Sequence, residues 1–221
     1  MKRKLPIGVL VSGSGSNLQS IIDHIDQGSL DAEIKVIISN IPDAYALKRA
    51  QIHHLPSLII NHDDFETREE FDEEIVRVFK SKGVELVVMA GFMRIITSVL
   101  INAYPAKVMN IHPAILPSFP GMHAQRQAVD YGVKFSGCTV HFVDHGVDSG
   151  PIIIQAVVPV LDDDTEETLS ARILKEEHRI YPQAIQFFAS GRIHINNRKV
   201  MISDGKCDDF SSFHNPALSG F

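Results

Sequence analysis

The sequence predicts an α/β fold: a single-domain, Rossmann-like, mostly parallel twisted sheet with helices on both faces and an antiparallel C-terminal hairpin. Strand-like and helix-like segments alternate over the first two thirds of the 221 residues, which is typical of a parallel sheet with crossover helices. The strand-like segments are largely apolar, as strands buried on both faces usually are. After Gly132, two strand-like runs flank a short turn-rich loop, and this spacing favours an antiparallel hairpin.

Short apolar runs bounded by turn residues predict the strands. The first run is rich in β-branched residues and ends at a glycine-rich loop, and the fourth is almost entirely apolar. The last two runs form the predicted hairpin. In chain order the predicted strands are 5–11, 34–38, 58–60, 84–90, 107–111, 137–143 and 151–158.

Apolar residues at helical spacing, together with capping residues, predict the helices. Asp43 is the expected N-cap of the second helix, and Gly83 ends the third. Thr165 opens the fourth helix, in which Pro182 should cause a kink or a break. The predicted helices are 18–28, 43–53, 66–82 and 165–189.

The length of the chain suits one globular domain with a well-buried core. We expect a single domain over residues 1–202 and a polar, flexible C-terminal tail over residues 203–221, which is rich in Gly, Ser and Asp. Cys138 and Cys207 lack Cys-x-x-Cys spacing and are expected to be structural thiols.

Charge and hydropathy argue against two classes of partner. The formal net charge is −6, so a general nucleic-acid surface is not expected. The longest apolar stretches are too short to cross a bilayer, so no membrane partner is expected. Because the N-terminus lacks the pattern of a secretory signal, we expect a cytoplasmic protein. The sequence leaves open whether the protein is a monomer or a homodimer.

A glycine-rich loop lies where the first strand should lead into the first helix. Gly13-Ser-Gly15-Ser-Asn17 is not a dinucleotide fingerprint, because Leu18 replaces the third glycine, and it lacks the Gly-Lys-Ser/Thr ending of a P-loop. The residues alone allow two interpretations. One is a tight turn in which Ser16 or Asn17 caps the helix. The other is a phosphate site made by backbone amides at the helix start.

Asn110 and His112 lie two residues apart at the end of the fifth predicted strand, so strand alternation places both side chains on the same side. Asp148 follows later in the chain and could orient the imidazole. An amide donor, an imidazole and a carboxylate suit acyl-type transfer through a tetrahedral oxyanion. No serine or cysteine beside the histidine offers a covalent nucleophile, so the substrate would have to supply it.

Each of these residues also has a purely structural interpretation. His112 could be a hydrogen-bonded histidine at a strand end, Asn110 a turn residue and Asp148 a solvated loop carboxylate. Their expected position at the carboxyl ends of successive strands, where open α/β sheets bind ligands, favours a site. No group of His, Cys and carboxylate residues shows zinc-type spacing, and no metal is expected.

Five motifs occur in an order that resembles the phosphoribosylglycinamide formyltransferases, a family of folate-dependent formyltransferases. The resemblance extends from about Pro6 to Ile195, and five ordered motifs are far more specific than any one of them. The motifs are Ser12-Gly-Ser-Gly-Ser-Asn-Leu18, Ala90-Gly-Phe-Met-Arg-Ile95, Asn110-Ile-His-Pro-Ala-Ile-Leu-Pro117, Pro120-Gly-Met-His123 and Asp148-Ser-Gly-Pro151.

The resemblance implies transfer of a formyl group from the co-substrate 10-formyltetrahydrofolate to the amine of glycinamide ribonucleotide, in purine biosynthesis. It implies that this amine attacks the formyl carbon directly and that Asn110 and protonated His112 stabilise the oxyanion. Asp148 would hold His112 and assist proton transfer.

The resemblance also implies binding residues and a backbone feature. A cis peptide bond is implied before Pro117. Contacts to the ribonucleotide are implied for Gly15, Ser16, Asn17 and Glu177. Contacts to folate are implied for Arg68, Met93, Arg94, Ile95, Ile96, Val143, His145 and Asp148.

Two related activities and one unrelated function compete with this interpretation. A formyltetrahydrofolate hydrolase has the same trio but carries an extra N-terminal regulatory domain, whereas this chain begins directly at the first strand. A methionyl-tRNA formyltransferase needs a further C-terminal domain and a basic surface for tRNA, and neither is expected here. A non-catalytic folate- or nucleotide-binding module would not require Asn110, His112 and Asp148 together.

Overall fold

The computed structural model describes residues 3–205 and residue 215. Of the predicted tail over residues 203–221, only residues 203–205 and 215 are therefore described, and Cys207 lies outside the described residues. The Asn215 side-chain amide donates hydrogen bonds to the backbone carbonyls of Lys134 and Val160, at 2.7 and 2.8 Å.

A seven-stranded sheet forms the centre of the molecule, with strand order β3-β2-β1-β4-β5-β6-β7. The first five strands pair in parallel, whereas β6 is antiparallel to both β5 and β7. This arrangement confirms the predicted fold class and the predicted hairpin. The strands are β1 (Leu5–Val11), β2 (Ala32–Ser39), β3 (Ser57–Ile59), β4 (Leu86–Met89), β5 (Val108–His112), β6 (Phe135–Phe142) and β7 (Ile152–Pro159).

A second, two-stranded antiparallel sheet was not predicted. It consists of β8 (Ile193–Asn196) and β9 (Lys199–Ile202), joined at Asn197 and Arg198. Asn197 has a φ of 54°, and asparagine tolerates this left-handed conformation better than most residues. The exposed, alternating side chains of this hairpin give a weak apolar signal in the sequence.

Six α-helices and one short 3-10 helix, His62–Asp64, accompany the strands in the described residues. All four predicted helices are present, and α6 continues through Pro182 without a break. Two short helices, α4 and α5, were not predicted. The helices are α1 (Ser16–Asp26), α2 (Tyr45–Ile52), α3 (Arg68–Ser81), α4 (Ser98–Ala103), α5 (Ala124–Tyr131) and α6 (Glu166–Ala189).

The helix caps confirm two predictions and correct one. Thr165 caps α6, where its hydroxyl accepts from the backbone N–H of Thr168 and the Thr168 hydroxyl accepts in return. Gly83 follows α3 with a φ of 67°, as expected for a helix end. The expected Asp43 cap is wrong, because α2 begins at Tyr45 after Ala44, and no side chain caps it.

Two apolar clusters cover the two faces of the sheet, as predicted. Successive residues of β1 alternate between them, since Val9 and Val11 belong to the cluster that contains residues of α1 and α6. Leu10 belongs to the cluster that contains residues of α3 and α4. Burial on both faces explains why the central strands are apolar along their whole length.

None of the helices within residues 3–205 combines the length and the apolar character needed to span a bilayer.

Candidate active site

Several of the predicted site residues lie at the carboxyl edge of the parallel strands. The glycine-rich loop follows β1, the segment from Met93 to Ile96 follows β4, and Asn110 and His112 end β5. Ser12 links two of these segments, because its hydroxyl accepts from the backbone N–H of Met93 at 2.9 Å. Open α/β sheets place their ligands at this edge.

The structure brings His112 and Asp148 together. The Nδ1 atom of His112 lies 3.3 Å from an Asp148 carboxylate oxygen, and the two side chains are largely buried. Nε2 of His112 donates to the backbone carbonyl of Phe119 at 2.8 Å. Each ring nitrogen of His112 therefore has an oxygen atom as its neighbour.

The loop residue Asp148 is held by backbone as well as by His112. Its carboxylate accepts from the Gly121 N–H at 2.8 Å, and its φ of 49° is a left-handed conformation that short polar residues tolerate. A Cβ atom at Gly150 would collide with the carbonyl of Phe142 at the end of β6. Only glycine therefore allows the backbone to come this close to the strand.

Sequence reasoning missed His141, a fourth polar residue of this site. His141 lies on β6 directly opposite Asn110, and its side chain is 1% exposed. Its Nε2 atom is 3.3 Å from Nδ2 of Asn110 and 3.7 Å from an oxygen of Asp148. We call Asn110, His112, His141 and Asp148 the polar cluster. The pairing of β5 with β6 brings His141 to Asn110, and alternation within one strand does not predict this pairing.

Burial lowers the pKa of His141, although the Phe142 carbonyl and the charge of Asp148 act in the opposite direction. The ring is therefore neutral at physiological pH. Its Nδ1 atom donates to the Phe142 carbonyl at 2.9 Å, which fixes the tautomer.

The loop that follows β5 is tethered to the sheet by Thr139. The Thr139 hydroxyl donates to the Ala114 carbonyl at 2.7 Å and accepts from the Leu116 N–H at 3.1 Å. The implied cis peptide bond between Leu116 and Pro117 is present. This loop carries the Phe119 carbonyl and the Gly121 amide to the polar cluster.

The glycine-rich loop is packed tightly against α2. Gly15 has a φ of 69°, and a Cβ atom there would lie 2.7 Å from the Ala46 side chain. The Arg49 guanidinium donates to the Ser14 carbonyl at 2.9 Å. The interpretation in which Ser16 or Asn17 caps α1 is wrong, because Gly15 is the N-cap and no side chain accepts from the first turn.

Asn17 and Glu177 come together from distant parts of the chain. The Asn17 amide donates to the Glu177 carboxylate at 2.7 Å, and both residues are buried. Burial raises the pKa of Glu177, and the hydrogen bond from Asn17 opposes this effect. Tyr181, one turn later on α6, places its hydroxyl within 3.1 Å of the carbonyls of Met89 and Met109 and so fixes the helix against β4 and β5.

Of the residues implied in folate binding, Arg68 and Arg94 line one open cleft of about 400 Å³ together with His62, Phe65 and Phe71. The Arg94 guanidinium lies 6.0 Å from the centre of the Phe71 ring. Ile96 is buried in the core, so its side chain is not available to a ligand. Val143 is partly buried, and its backbone N–H donates to the backbone carbonyl of Val108.

Several exposed side chains surround this edge of the sheet, and we call Met93, Ile95, His145 and Val147 the exposed rim. Met93 is 74% exposed, Ile95 63% and Val147 52%. Within residues 3–205 and 215, no three His, Cys, Asp or Glu side chains are placed to hold a metal ion together.

The chain is similar to known formyl transferases in sequence and in fold. The formyl transferase family matches the chain over residues 5–185. Phosphoribosylglycinamide formyltransferase of Escherichia coli K12 is 38% identical over 200 residues, which is 90% of this chain and 94% of that protein. The crystal structure of glycinamide ribonucleotide transformylase 1 from Symbiobacterium toebii matches with 48% identity and a TM-score of 0.90, over 91% of this chain and 95% of that one.

A longer relative also matches. The trifunctional purine biosynthetic protein adenosine-3 of Drosophila melanogaster is 45% identical over 192 residues, or 86% of this chain. The chain spans only 14% of the length of that relative.

Proposed function

The chain belongs to the formyl transferase family, and on that premise we propose that it transfers the formyl group of 10-formyltetrahydrofolate to the amine of glycinamide ribonucleotide. The products are formylglycinamide ribonucleotide and tetrahydrofolate, in de novo purine biosynthesis. The observation that carries the proposal is the pairing of His112 with Asp148 at 3.3 Å beside Asn110, at the edge of the sheet that also holds the glycine-rich loop.

The amine of the ribonucleotide is the nucleophile that the polar cluster lacks. As it attacks the formyl carbon, negative charge develops on the formyl oxygen. The Asn110 amide and Nε2–H of His112 donate to this oxygen, which takes the place of the Phe119 carbonyl as the acceptor. Asp148 holds the other ring nitrogen.

Proton transfer completes the reaction. The attacking nitrogen must lose a proton, and the folate nitrogen must gain one as its bond to the formyl carbon breaks. Asp148 is the carboxylate of the polar cluster, and its contact with His112 suits it to accept a proton through water and to return it through the imidazole. The formyl group thus passes from the folate nitrogen to the substrate amine without a covalent enzyme intermediate.

The glycine-rich loop and Glu177 would hold the ribonucleotide. No side chain accepts a hydrogen bond from the backbone N–H groups at the start of α1, so those of Gly15, Ser16 and Asn17 suit a phosphate. The Glu177 carboxylate, positioned by Asn17, suits the ribose hydroxyls. These contacts to the phosphate and the ribose would position the amine of the ribonucleotide beside the polar cluster.

The cleft and the exposed rim would hold the folate. Arg68 and Arg94 offer two guanidinium groups to the carboxylates at one end of the co-substrate. The rim offers an apolar surface to the ring system, and Ile96 and Val143 would contribute through their backbone. The proposal involves no metal ion.

The proposal requires only small-molecule substrates and holds for a monomer or a homodimer. We also infer that the enzyme is cytoplasmic. In the part of the chain that the structure describes, Cys138 is a buried free thiol, which suits a reducing compartment.

Consumption of 10-formyltetrahydrofolate, followed with and without glycinamide ribonucleotide, tests the proposed function. We expect consumption only when the ribonucleotide is present. Equal consumption in its absence would favour the hydrolase activity instead, and no consumption in either case would favour a non-catalytic binding module.

A further inference from the structure

We propose that His141 is a positioning residue that orients the side-chain amide of Asn110, so that the amide nitrogen faces the reacting formyl oxygen. The inference deepens the proposed function and rests on it, because Asn110 is the amide donor of that mechanism. His141 would touch neither substrate. It would act only through Asn110.

The hydrogen bonds of His141 define the role of each ring nitrogen. The Phe142 carbonyl, 2.9 Å from Nδ1, can only accept, so Nδ1 carries the proton. In a neutral ring Nε2 then presents a lone pair. The side chain is 1% exposed, so water has little access to replace either contact.

This lone pair permits only one orientation of the Asn110 amide. The nitrogen of the amide lies 3.3 Å from Nε2 and donates to it. A flipped amide would place its carbonyl oxygen against the lone pair, and two acceptors would face each other. The amide nitrogen has a second hydrogen, and this one remains for the formyl oxygen.

The surrounding charges show why a neutral His141 is the working form. An Asp148 oxygen lies 3.7 Å from Nε2, too far for a hydrogen bond, and this keeps Asp148 available to His112. A protonated ring would repel the Asn110 amide and compete for Asp148. Besides Asp148, two titratable groups act on the ring: His112 on β5 lowers the pKa of His141 further, and Asp144 in the loop raises it. Burial has the largest effect and lowers the pKa.

Two substitutions separate orientation from packing. His141→Asn can keep an N–H near the position of Nδ1 for the Phe142 carbonyl but places no acceptor near Nε2. His141→Gln can place its amide oxygen near the position of Nε2. We expect His141→Asn to lower kcat about 10- to 100-fold with both KM values nearly unchanged. His141→Gln should recover most of this loss.

A double-mutant cycle with Asn110→Ala gives the decisive kinetic readout. If His141 acts through Asn110, adding His141→Asn to Asn110→Ala should lower kcat by less than about twofold. An equal loss in both backgrounds would overturn the proposal. Circular dichroism and thermal unfolding of each variant identify any loss that comes from misfolding.

Nitrogen NMR of the His141 ring provides a test that is independent of activity. Near neutral pH, the proposal requires a proton on Nδ1 and none on Nε2 in the wild-type protein. A proton on Nε2 would overturn the proposal even if formyl transfer is normal. Conversely, absence of formyl transfer with the expected tautomer would refute the proposed function and leave the hydrogen-bond assignment of His141 standing.

Discussion

The polar cluster and the exposed rim differ in how complete they are before a substrate binds. His112 and His141 are 5% and 1% exposed, and each ring nitrogen has a partner in a neighbouring side chain or backbone carbonyl. In the rim, Met93 is 74% exposed and Val147 52%. The cluster is thus organised by the fold itself, whereas the rim offers apolar surface that only a ligand would cover.

This difference indicates how binding and catalysis are divided. Groups fixed in advance around a developing charge lower the barrier of the chemical step, because they need no reorganisation during the reaction. Groups that meet a ligand only after it arrives contribute mainly to affinity. Substitutions in the cluster should therefore lower kcat, and substitutions around the rim should raise KM.

The largest effect is expected at Asp148. Asp148→Asn keeps the shape of the side chain but removes the charge that faces His112, and kcat should fall about 10²- to 10³-fold. KM for the ribonucleotide should be nearly unchanged, since Asp148 is separate from the residues assigned to its phosphate and ribose. Asp162→Asn, which removes an exposed carboxylate paired with Lys134, is the matched control in steady-state kinetics. A decrease of less than about tenfold would place Asp148 outside the catalytic machinery.

Glu177 is buried like the cluster but is assigned to binding, so it tests whether burial alone predicts a kcat effect. Glu177→Gln should raise KM for the ribonucleotide about tenfold, because a charge-assisted hydrogen bond to the ribose is weakened. Its kcat should stay close to that of the wild type. A fall in kcat with an unchanged KM would contradict the assignment of Glu177 to binding rather than to catalysis.

Glu177→Gln should weaken ribonucleotide binding but increase the stability of the fold. Burial raises the pKa of Glu177 in the folded state, so its contribution to stability is present in acid and is lost as the pH rises through the folded pKa. Glutamine stays neutral. Glu177→Gln should therefore be more stable than the wild type near neutral pH, and the two should converge in acid, as measured by urea unfolding at several pH values. A difference independent of pH would contradict this account.

A smaller effect is expected at Arg94, which lies over Phe71 in the open cleft. Arg94→Ala should raise KM for 10-formyltetrahydrofolate about fivefold, because one of two guanidinium groups near its carboxylates is lost. The thermal midpoint should hardly change. Arg77→Ala on the same helix as Arg68 removes an exposed arginine that pairs with Glu74 and is the control. Equal KM values for the two variants would remove Arg94 from the folate site.

The smallest effect is expected at Arg198, in the turn of the β8–β9 hairpin. Its guanidinium donates to the Ser149 carbonyl at 2.6 Å and lies 4.0 Å from Asp144, so it supports the loop that carries Asp148. Since this contact is exposed, Arg198→Ala should lower kcat only about threefold. Lys199→Ala, which removes the neighbouring charge, should have no effect. Equal rates for both variants and the wild type would show that the hairpin does not support the loop.

The central strands of the sheet were predictable because they are buried on both faces. Burial on both faces requires apolar residues at nearly every position, and such runs stand out in the sequence. Helix α5 was not predictable in this way. It buries only Ala124 and Ala128, and its other residues give no apolar period. The β8–β9 hairpin was missed for a similar reason.

The part of the candidate site that lies at the end of a single strand was predictable from the sequence. Alternation places Asn110 and His112 on one side of β5, and Asp148 is a carboxylate later in the chain whose role the family resemblance supports. His141 was missed because its place opposite Asn110 depends on the register between two strands. The contacts of Phe119 and Gly121 depend on how a loop folds back, which no local pattern encodes.

The fate of a labelled formyl group tests the central claim most directly. Wild-type protein and Asp148→Asn are each given 10-formyltetrahydrofolate with an isotopically labelled formyl carbon, with glycinamide ribonucleotide present, and the labelled product is identified by NMR. We expect the wild-type protein to transfer the label to the ribonucleotide as an amide and Asp148→Asn to do so far more slowly. Label released as formate at the same rate with and without ribonucleotide would contradict it.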